Sequence, residues 1–240
     1  MLTRTRPVAG ISRWFATLGA LTLCALLSSP ASAQDGPQQE VFIPESGKGP
    51  AVVVISGRTG PPNYRNYAKQ VAALGYYTVL IDGKDILTRA QDGAQNLRTV
   101  IAKAQASPHG MPDKVMVIGF SQGGGGILAH AVKMPDLIKA AVAHYPATSW
   151  ARNLPAIVSR IQIPVLVLTG ERDTYNNCCL IESMRVMEST AKEKQLPLEL
   201  VVYPDAEHGF NLDGRYYRAD DSADAWRRTS ERLARHHPVK

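Results

Sequence analysis

The chain has 240 residues, of which 45% are hydrophobic, and a formal net charge of +6 at pH 7. This length and apolar content are sufficient for an α/β domain with a large buried core. Half of the excess positive charge comes from Arg4, Arg6 and Arg13, and the other charges are interspersed without a basic stripe. We therefore expect no binding to nucleic acid.

The first 33 residues have the three-part pattern of a secretory signal peptide. The three arginines flank the start of an apolar run over residues 15–27, and an A-x-A cleavage motif follows at residues 31–33. An apolar run of this length is short for a membrane span. The sequence thus predicts cleavage after Ala33, export to a periplasm or to the medium, and no stable membrane insertion afterwards.

Residues 34–240 alternate between apolar runs of strand length and amphipathic stretches, which is typical of a mainly parallel sheet flanked by helices. The predicted strands cover residues 40–43, 51–55, 77–81, 114–119, 140–144, 164–168 and 199–203. The predicted helices cover residues 63–74, 93–106, 122–134, 180–194 and 222–236. We expect a single α/β domain over residues 34–240, in which ligands bind beyond the carboxyl ends of the strands.

The segment KVMVIGFSQGGGG, residues 114–126, carries a G-x-S-x-G motif directly after a buried strand. This is the context of a nucleophile elbow, in which a sharp strand-to-helix turn holds Ser121 out of the chain. The N-terminus of the following helix would lie beneath a developing oxyanion. A chain with nineteen glycines also produces this motif by chance, so the alternative is an ordinary glycine-rich turn.

An acid and a base follow Ser121 in the order Ser, Asp, His, which is the order in α/β-hydrolases. Asp173 follows the predicted strand at residues 164–168, and His208 follows the strand at residues 199–203. His208 would take the proton of Ser121, while Asp173 would orient His208 and stabilise its charged form.

Other residues compete for the roles of base and acid. His144 also ends a predicted strand and is the strongest alternative base, while Glu171 and Asp205 are alternative acids or ordinary loop charges. The remaining histidines are less suitably placed, in a turn, a helix or the polar C-terminal tail: His109, His130, His236 and His237. We favour His208, which completes the order Ser, Asp, His after the last predicted strand, and Asp173, because three residues past Gly170 the loop has turned back toward the site.

An oxyanion hole requires two backbone N–H groups. The first candidate is the N–H of Gln122, directly after Ser121, and the second is the N–H of Arg58, in the loop after the strand at residues 51–55. The side chain of Arg58 is also a candidate to contact a substrate carboxylate, the alternative being a solvated loop arginine.

Two adjacent cysteines, Cys178 and Cys179, follow the predicted cleavage site. Adjacent cysteines cannot link distant segments, so two thiols, a vicinal disulfide and an intermolecular link are all open. We favour a structural role for the pair over a catalytic or redox role. No histidine lies near them at a regular metal-binding spacing, and we expect no metal and no cofactor.

The chain resembles the dienelactone hydrolase family of the α/β-hydrolase superfamily. The similar segments are residues 51–55, the run ALGYYTVLID at residues 73–82, and residues 119–124, 170–173 and 203–210. The resemblance implies an α/β-hydrolase fold without a large lid domain. Two positions depart from it: Ser121 stands where dienelactone hydrolase itself has cysteine, and Leu212 where it has an arginine that helps hold the lactone's carboxylate.

These observations predict an exported serine hydrolase that cleaves carboxylic esters or lactones through an acyl-enzyme. The segment at residues 145–163, where many hydrolases insert a lid, is long enough for one brief helix, so we expect an open cleft for a small or protruding ester. The alternatives are a small serine peptidase, a thioesterase (the GFSQGG wording also resembles acyl-protein thioesterases) and a non-catalytic binding protein on a hydrolase scaffold.

Overall fold

The computed structural model describes residue 2 and residues 36–239. Apart from residue 2, the predicted signal peptide at residues 1–33 lies outside the described residues. Among the residues that the structure describes, no helix combines the length and the apolar character needed to cross a membrane.

In the part of the chain that the structure describes, seven strands form one sheet. They are β1 (Gln39–Phe42), β2 (Ala51–Ile55), β3 (Tyr77–Ile81), β4 (Val115–Phe120), β5 (Ile138–His144), β6 (Val165–Gly170) and β7 (Leu198–Tyr203). Their spatial order is β1-β3-β2-β4-β5-β6-β7. β1 pairs antiparallel with β3, and each other neighbouring pair is parallel. The mainly parallel sheet predicted from the sequence is therefore confirmed.

Within residues 36–239, six α-helices cover the sheet. They are α1 (Arg65–Ala73), α2 (Gly93–Ala106), α3 (Gln122–Ala129), α4 (Leu154–Val158), α5 (Ile181–Glu193) and α6 (Ala219–His236). Short 3₁₀ turns lie at Pro61–Tyr64, Gly83–Asp85, Ala131–Lys133 and Tyr175–Asn177. The brief α4 is the one α-helix between β5 and β6, so the described chain carries no large lid in that segment.

The sheet is buried on both faces because its central strands are nearly continuous runs of valine, isoleucine and leucine. Successive side chains of a strand point to opposite faces. Accordingly, Val53 and Ile55 pack with α2, α3 and α5, whereas Val52 and Val54 pack with α1 and α6. The core thus consists of two apolar layers separated by the sheet.

The single helix predicted over residues 122–134 is wrong in its second half. α3 ends at Ala129, His130 leaves the helical region with φ −128° and ψ −55°, and a 3₁₀ turn follows at Ala131–Lys133. Met134, which precedes Pro135, has φ −120° and ψ 56°, because a residue before proline disfavours the α conformation, so a helix could not have extended to Met134. The structure offers no physical reason for the earlier break at His130. The other predicted elements agree with the structure to within about three residues at each end, as is usual for frayed termini.

Strand order determines which loops meet. β4, β5, β6 and β7 are consecutive neighbours and parallel, so the loops that follow them emerge at one edge of the sheet. Ser121, His144, Asp173 and His208 all lie at or beyond these carboxyl ends.

Candidate active site

Ser121 lies at the turn between β4 and α3 with a backbone conformation that side chains rarely adopt. Its φ is 48° and its ψ is −109°, and a non-glycine residue in such a region is strained by about 1–3 kcal/mol. The turn is held by the surrounding backbone, since Ser121 N–H donates to His144 O at 2.9 Å and Ser121 O accepts from Ala147 N–H at 2.8 Å. This conformation directs the Ser121 hydroxyl toward His208, in the loop after β7.

The two glycines of the G-x-S-x-G motif are required by close backbone contacts. A Cβ atom on Gly123 would lie 2.3 Å from Ile55 O, and one on Gly119 would lie 2.6 Å from Gly123 O. Both distances are far below van der Waals contact. The motif therefore packs the start of α3 against the ends of β2 and β4, a close approach that an ordinary glycine-rich turn does not need.

The structure brings Ser121, His208 and Asp173 into one chain of hydrogen bonds. His208 Nε2 lies 3.0 Å from Ser121 Oγ, and His208 Nδ1 lies 2.7 Å from Asp173 Oδ2. A neutral imidazole with its proton on Nδ1 donates to the carboxylate and accepts the serine hydroxyl proton at Nε2. Asp173 is buried, and its second oxygen accepts Tyr175 N–H at 3.1 Å.

The alternative acids are engaged elsewhere. Glu171 pairs with Arg185 at 2.6 Å, and Asp205 pairs with Arg172 at 2.6 Å. Both pairs lie on the surface. Asp173 is thus the carboxylate that the structure places against His208.

His144, the alternative base, is buried beneath the site and faces neutral groups. Its Nε2 lies 3.3 Å from Tyr67 Oη, and Asn211 Nδ2 donates to its Nδ1 at 2.9 Å. Its ring stacks on Phe120 with centroids 4.5 Å apart. Burial lowers the pKa of His144 to about 3, because desolvation penalises the charged imidazole. This histidine therefore stays neutral, out of reach of a substrate in the cleft.

Two tyrosine rings, which the sequence did not indicate, hold the ring of His208. Tyr175 stacks on it with centroids 4.5 Å apart and planes 9° apart, and the edge of Tyr145 approaches at 4.6 Å. Tyr145 in turn donates its hydroxyl to Asn211 Oδ1 at 3.0 Å. Their positions in the sequence could have indicated this contact, since Tyr145 directly follows β5 and Tyr175 follows Asp173 by two residues.

The two candidate oxyanion donors lie beside Ser121. Gln122 begins α3 directly after the serine. A Cβ atom on Gly57, the neighbour of Arg58, would lie 3.3 Å from Ser121 Cβ, so the loop after β2 packs against the elbow. Within the described chain, the backbone N–H groups of Gln122 and Arg58 donate to no backbone acceptor. The role of both groups as oxyanion donors stays a prediction.

An open cleft leads to this site. Ser121 and His208 line it together with rings and cations from the segments after β2, β5, β6 and β7: Arg58, Tyr64, Tyr145, Tyr175, Arg215 and Tyr216. Leu212, which stands where dienelactone hydrolase itself has an arginine, also lines the cleft. The lining combines aromatic surface with two arginines, which suits a small organic molecule that carries a polar or anionic group.

Cys178 and Cys179 form a disulfide with each other, which decides among the three states that the sequence left open. Both sulfur atoms and one ring nitrogen of His208 lie within 4.8 Å of one another. Sequence spacing missed this proximity, because His208 comes from the loop after the neighbouring strand.

The sequence model of the dienelactone hydrolase family matches residues 80–237. The chain belongs to the dienelactone hydrolase family. An Escherichia coli (strain K12) protein provisionally named a carboxymethylenebutenolidase is 34% identical over 125 residues, which cover 49% of this chain and 45% of that protein. Cutinase 2 of Thermobifida cellulosilytica is 30% identical over 131 residues, or 52% of this chain and 48% of the cutinase. The chain thus spans about half the length of the curated relatives it matches.

Solved structures show the fold of this family member. A Klebsiella pneumoniae protein provisionally named a dienelactone hydrolase is similar with a TM-score of 0.67 and 22% identity, over 82% of this chain and 98% of that one. The protein Est1E of Butyrivibrio proteoclasticus is similar with a TM-score of 0.63 and 17% identity, over 82% of this chain and 94% of that one. The α/β-hydrolase fold predicted from the sequence is confirmed.

Proposed function

We propose that this member of the dienelactone hydrolase family is a serine hydrolase that cleaves carboxylic esters or lactones through an acyl-enzyme. The observation that carries the proposal is the position of His208, which is hydrogen bonded to Ser121 on one side and to the buried Asp173 on the other. The site also opens into a cleft wide enough for a small ester.

Each residue has a role that follows from its contacts. Ser121 attacks the carbonyl carbon as His208 Nε2 takes its proton, and Asp173 stabilises the imidazolium that forms. The backbone N–H groups of Gln122 and Arg58 stabilise the oxyanion of the tetrahedral intermediate. His208 then donates its proton to the leaving alcohol, and a water molecule, activated by the same histidine, hydrolyses the acyl-enzyme.

Substrate class is supported by the lining of the cleft and by the relatives. The names carboxymethylenebutenolidase and cutinase both denote enzymes that open ester bonds. Arg58 and Arg215 lie in the same cleft as Ser121, so an ester that carries a carboxylate has two cations available. We expect a lower KM for p-nitrophenyl hemisuccinate than for p-nitrophenyl butyrate, and equal values would exclude this use of the arginines.

Replacement of the nucleophile tests the activity. Ser121→Ala is expected to lower kcat on p-nitrophenyl acetate by at least roughly 10³-fold, because the remaining site offers only oxyanion stabilisation and binding. Ser149→Ala, which alters an exposed serine nearby, is the matched control and should retain full activity. A folded Ser121→Ala protein with near-wild-type activity would exclude the assignment.

Labelling with a fluorophosphonate probe separates an enzyme from a binding protein on the same scaffold. Such probes react with an activated serine, so the wild-type and Ser149→Ala proteins should be labelled and the Ser121→Ala protein should not. An unlabelled, folded wild-type protein would favour the binding protein.

We also propose that the chain is exported, on the basis of the pattern at residues 1–33. Mass spectrometry of the protein from a periplasmic or culture fraction should find Gln34 as the first residue. A full-length chain found in the cytoplasm would contradict export.

A further inference from the structure

The Cys178–Cys179 disulfide lies against a residue of the proposed catalytic site. Both sulfur atoms and one ring nitrogen of His208 lie within 4.8 Å of one another. Cys179 is buried, and Cys178 is partly exposed. Ester hydrolysis uses His208 but gives the disulfide no role.

The position of the cysteines near His208 does not depend on the disulfide bond alone. The carbonyl oxygen of Cys178 accepts hydrogen bonds from Thr148 N–H at 2.7 Å, Thr148 Oγ1 at 3.2 Å and Ser149 N–H at 3.2 Å. These bonds anchor the loop after β6 to the loop after β5. Opening the disulfide would therefore leave two thiols close to the histidine.

Two thiolates and an imidazole are a ligand set for a zinc-class ion. Zinc binds sulfur at about 2.3 Å and nitrogen at about 2.0 Å in a tetrahedron, so its ligand atoms lie roughly 3.5 Å apart. The two sulfur atoms, which are bonded to each other in the disulfide, have to move apart by roughly 1.7 Å after reduction. The ring nitrogen, within 4.8 Å of them, has to approach by about 1.3 Å at most. A water molecule can fill the fourth position, as in other sites with three protein ligands.

We infer that reduction of the Cys178–Cys179 disulfide creates a Cys₂His site for a zinc-class ion, which inhibits the hydrolase by binding His208. A dithiol attacks the disulfide by thiol–disulfide exchange. The two cysteines gain two electrons and two protons, and the dithiol becomes a disulfide. Binding of the ion then releases the two thiol protons.

Inhibition follows from the hydrogen bonds of His208. Its Nδ1 is held by Asp173 and its Nε2 by Ser121, so an ion on either nitrogen removes one of the two contacts that ester hydrolysis uses. This inhibitory effect rests on the proposed function. The metal site itself does not, and the two parts are measured separately.

Cobalt binding tests the site without reference to activity. The protein is reduced with a phosphine, since thiol reductants compete for the metal, and is titrated with Co²⁺. We expect one Co²⁺ per chain with a sulfur-to-cobalt charge-transfer band in the reduced wild type. The band should be absent in the oxidised protein and in C178S/C179S, and weakened in H208N. His109→Asn, a histidine remote from the cysteines along the chain and in the fold, is the control and should retain it.

Zinc inhibition tests the regulatory part. At a Zn²⁺ concentration that saturates the site, we expect the reduced wild type to hydrolyse p-nitrophenyl acetate at least 10-fold more slowly than it does without metal. A chelator should restore that rate. The oxidised protein and C178S/C179S, each compared with its own metal-free rate, should be unaffected.

The outcomes are distinguishable. A reduced wild type that binds Co²⁺ no better than C178S/C179S would overturn the site, whatever the ester activity. Saturated binding without loss of activity would overturn the inhibition. A cobalt band in a protein that hydrolyses no ester in its oxidised, metal-free form would support the site and overturn the proposed function instead.

Discussion

The ends of β5 and β7 each carry a histidine, and the two histidines have opposite surroundings. His144, at the end of β5, is fully buried between a tyrosine hydroxyl and an amide. His208, beyond β7, faces a carboxylate on one side and a serine in an open cleft on the other. A position at the carboxyl end of a strand therefore does not make a histidine a base. The charge of its partner and its access to the cleft decide the role.

The partners of the two histidines come from two different loops. The loop after β6 places Asp173 against His208, whereas the loop after β7 places the uncharged Asn211 against His144. A carboxylate favours the imidazolium form, whereas burial among neutral groups opposes it. The two histidines thus differ in the charge of the side chain that each one contacts.

The largest expected effect separates the two histidines by activity. His208→Gln should lower kcat/KM for p-nitrophenyl acetate by about 10⁴-fold or more, because among the described residues His208 is the base hydrogen bonded to Ser121 Oγ. His144→Gln, the matched variant, should retain activity within about 10-fold when folded. Steady-state kinetics of both variants test this assignment. A greater loss of kcat/KM in His144→Gln than in His208→Gln would make His144 the base.

Replacing the carboxylate sharpens the comparison at the loop after β6. Asp173→Asn should lower kcat by about 10³-fold, since an amide neither stabilises the imidazolium nor fixes the tautomer. Asp205→Asn removes a nearby surface carboxylate that pairs with Arg172 and should change kcat less than about 3-fold. Similar losses in both variants would mean that Asp173 acts only through local charge.

Acid stability is the next effect in size, and it concerns His144. Its pKa of about 3 in the folded protein lies below the ordinary value of 6.5, so the unfolded chain binds the proton more readily. The contribution of neutral His144 to the free energy of unfolding is therefore fully present above about pH 6.5. It decreases by up to about 1.4 kcal/mol for each pH unit as the pH falls toward 3. Urea unfolding between pH 7 and 4 should show a shallower pH dependence for His144→Gln than for the wild type.

His237 provides the reference for that measurement. Burial lowers its pKa as well, to about 4. Its contribution to the free energy of unfolding therefore changes over a narrower pH range than that of His144, and the total contribution is smaller. His237→Gln should reduce the acid sensitivity less than His144→Gln does. An unchanged pH dependence in both variants would contradict the assignment of acid sensitivity to buried histidines.

The smallest expected effect concerns the ring that covers His208. Tyr175→Ala should lower kcat by about 3- to 10-fold, because it removes the stacked surface that restricts the imidazole, while Tyr175→Phe keeps the ring and should restore the rate. A loss in Tyr175→Phe equal to that in Tyr175→Ala would assign the effect to the hydroxyl. The pH profile of kcat should shift in the alanine variant alone if the ring positions the base.

The sheet and the order of its helices could be predicted from the sequence because burial on both faces leaves a strong local signal. β2 and β4 consist of uninterrupted buried apolar residues, and each is bounded by polar or glycine-rich turns. The candidate residues Ser121, Asp173 and His208 could be found for the same reason. Each lies within five residues of the end of a strand, so strand prediction alone places all three at one edge.

The surroundings of His208 could not be predicted, because they depend on loop conformations that carry no periodic signal. Tyr145 has a φ of 34°, and Asn176 and Asn177 have φ of 48° and 52°, values that few side chains adopt. These local turns bring Tyr145, Tyr175 and the disulfide to the histidine. Sequence spacing contains no information on such contacts between loops from different strands.

The four consecutive glycines at the start of α3 have a consequence for how this protein can diversify. Cβ atoms at Gly123, Gly124, Gly125 and Gly126 would lie within 3.0 Å of Ile55, Pro146, Ala147 and Ile86, respectively. Four successive helical residues point in directions that span the whole circumference, so the first turn of α3 has no free side. New substrate preferences are therefore expected to arise in the loops after β6 and β7, and libraries directed at residues 123–126 should return almost only glycine.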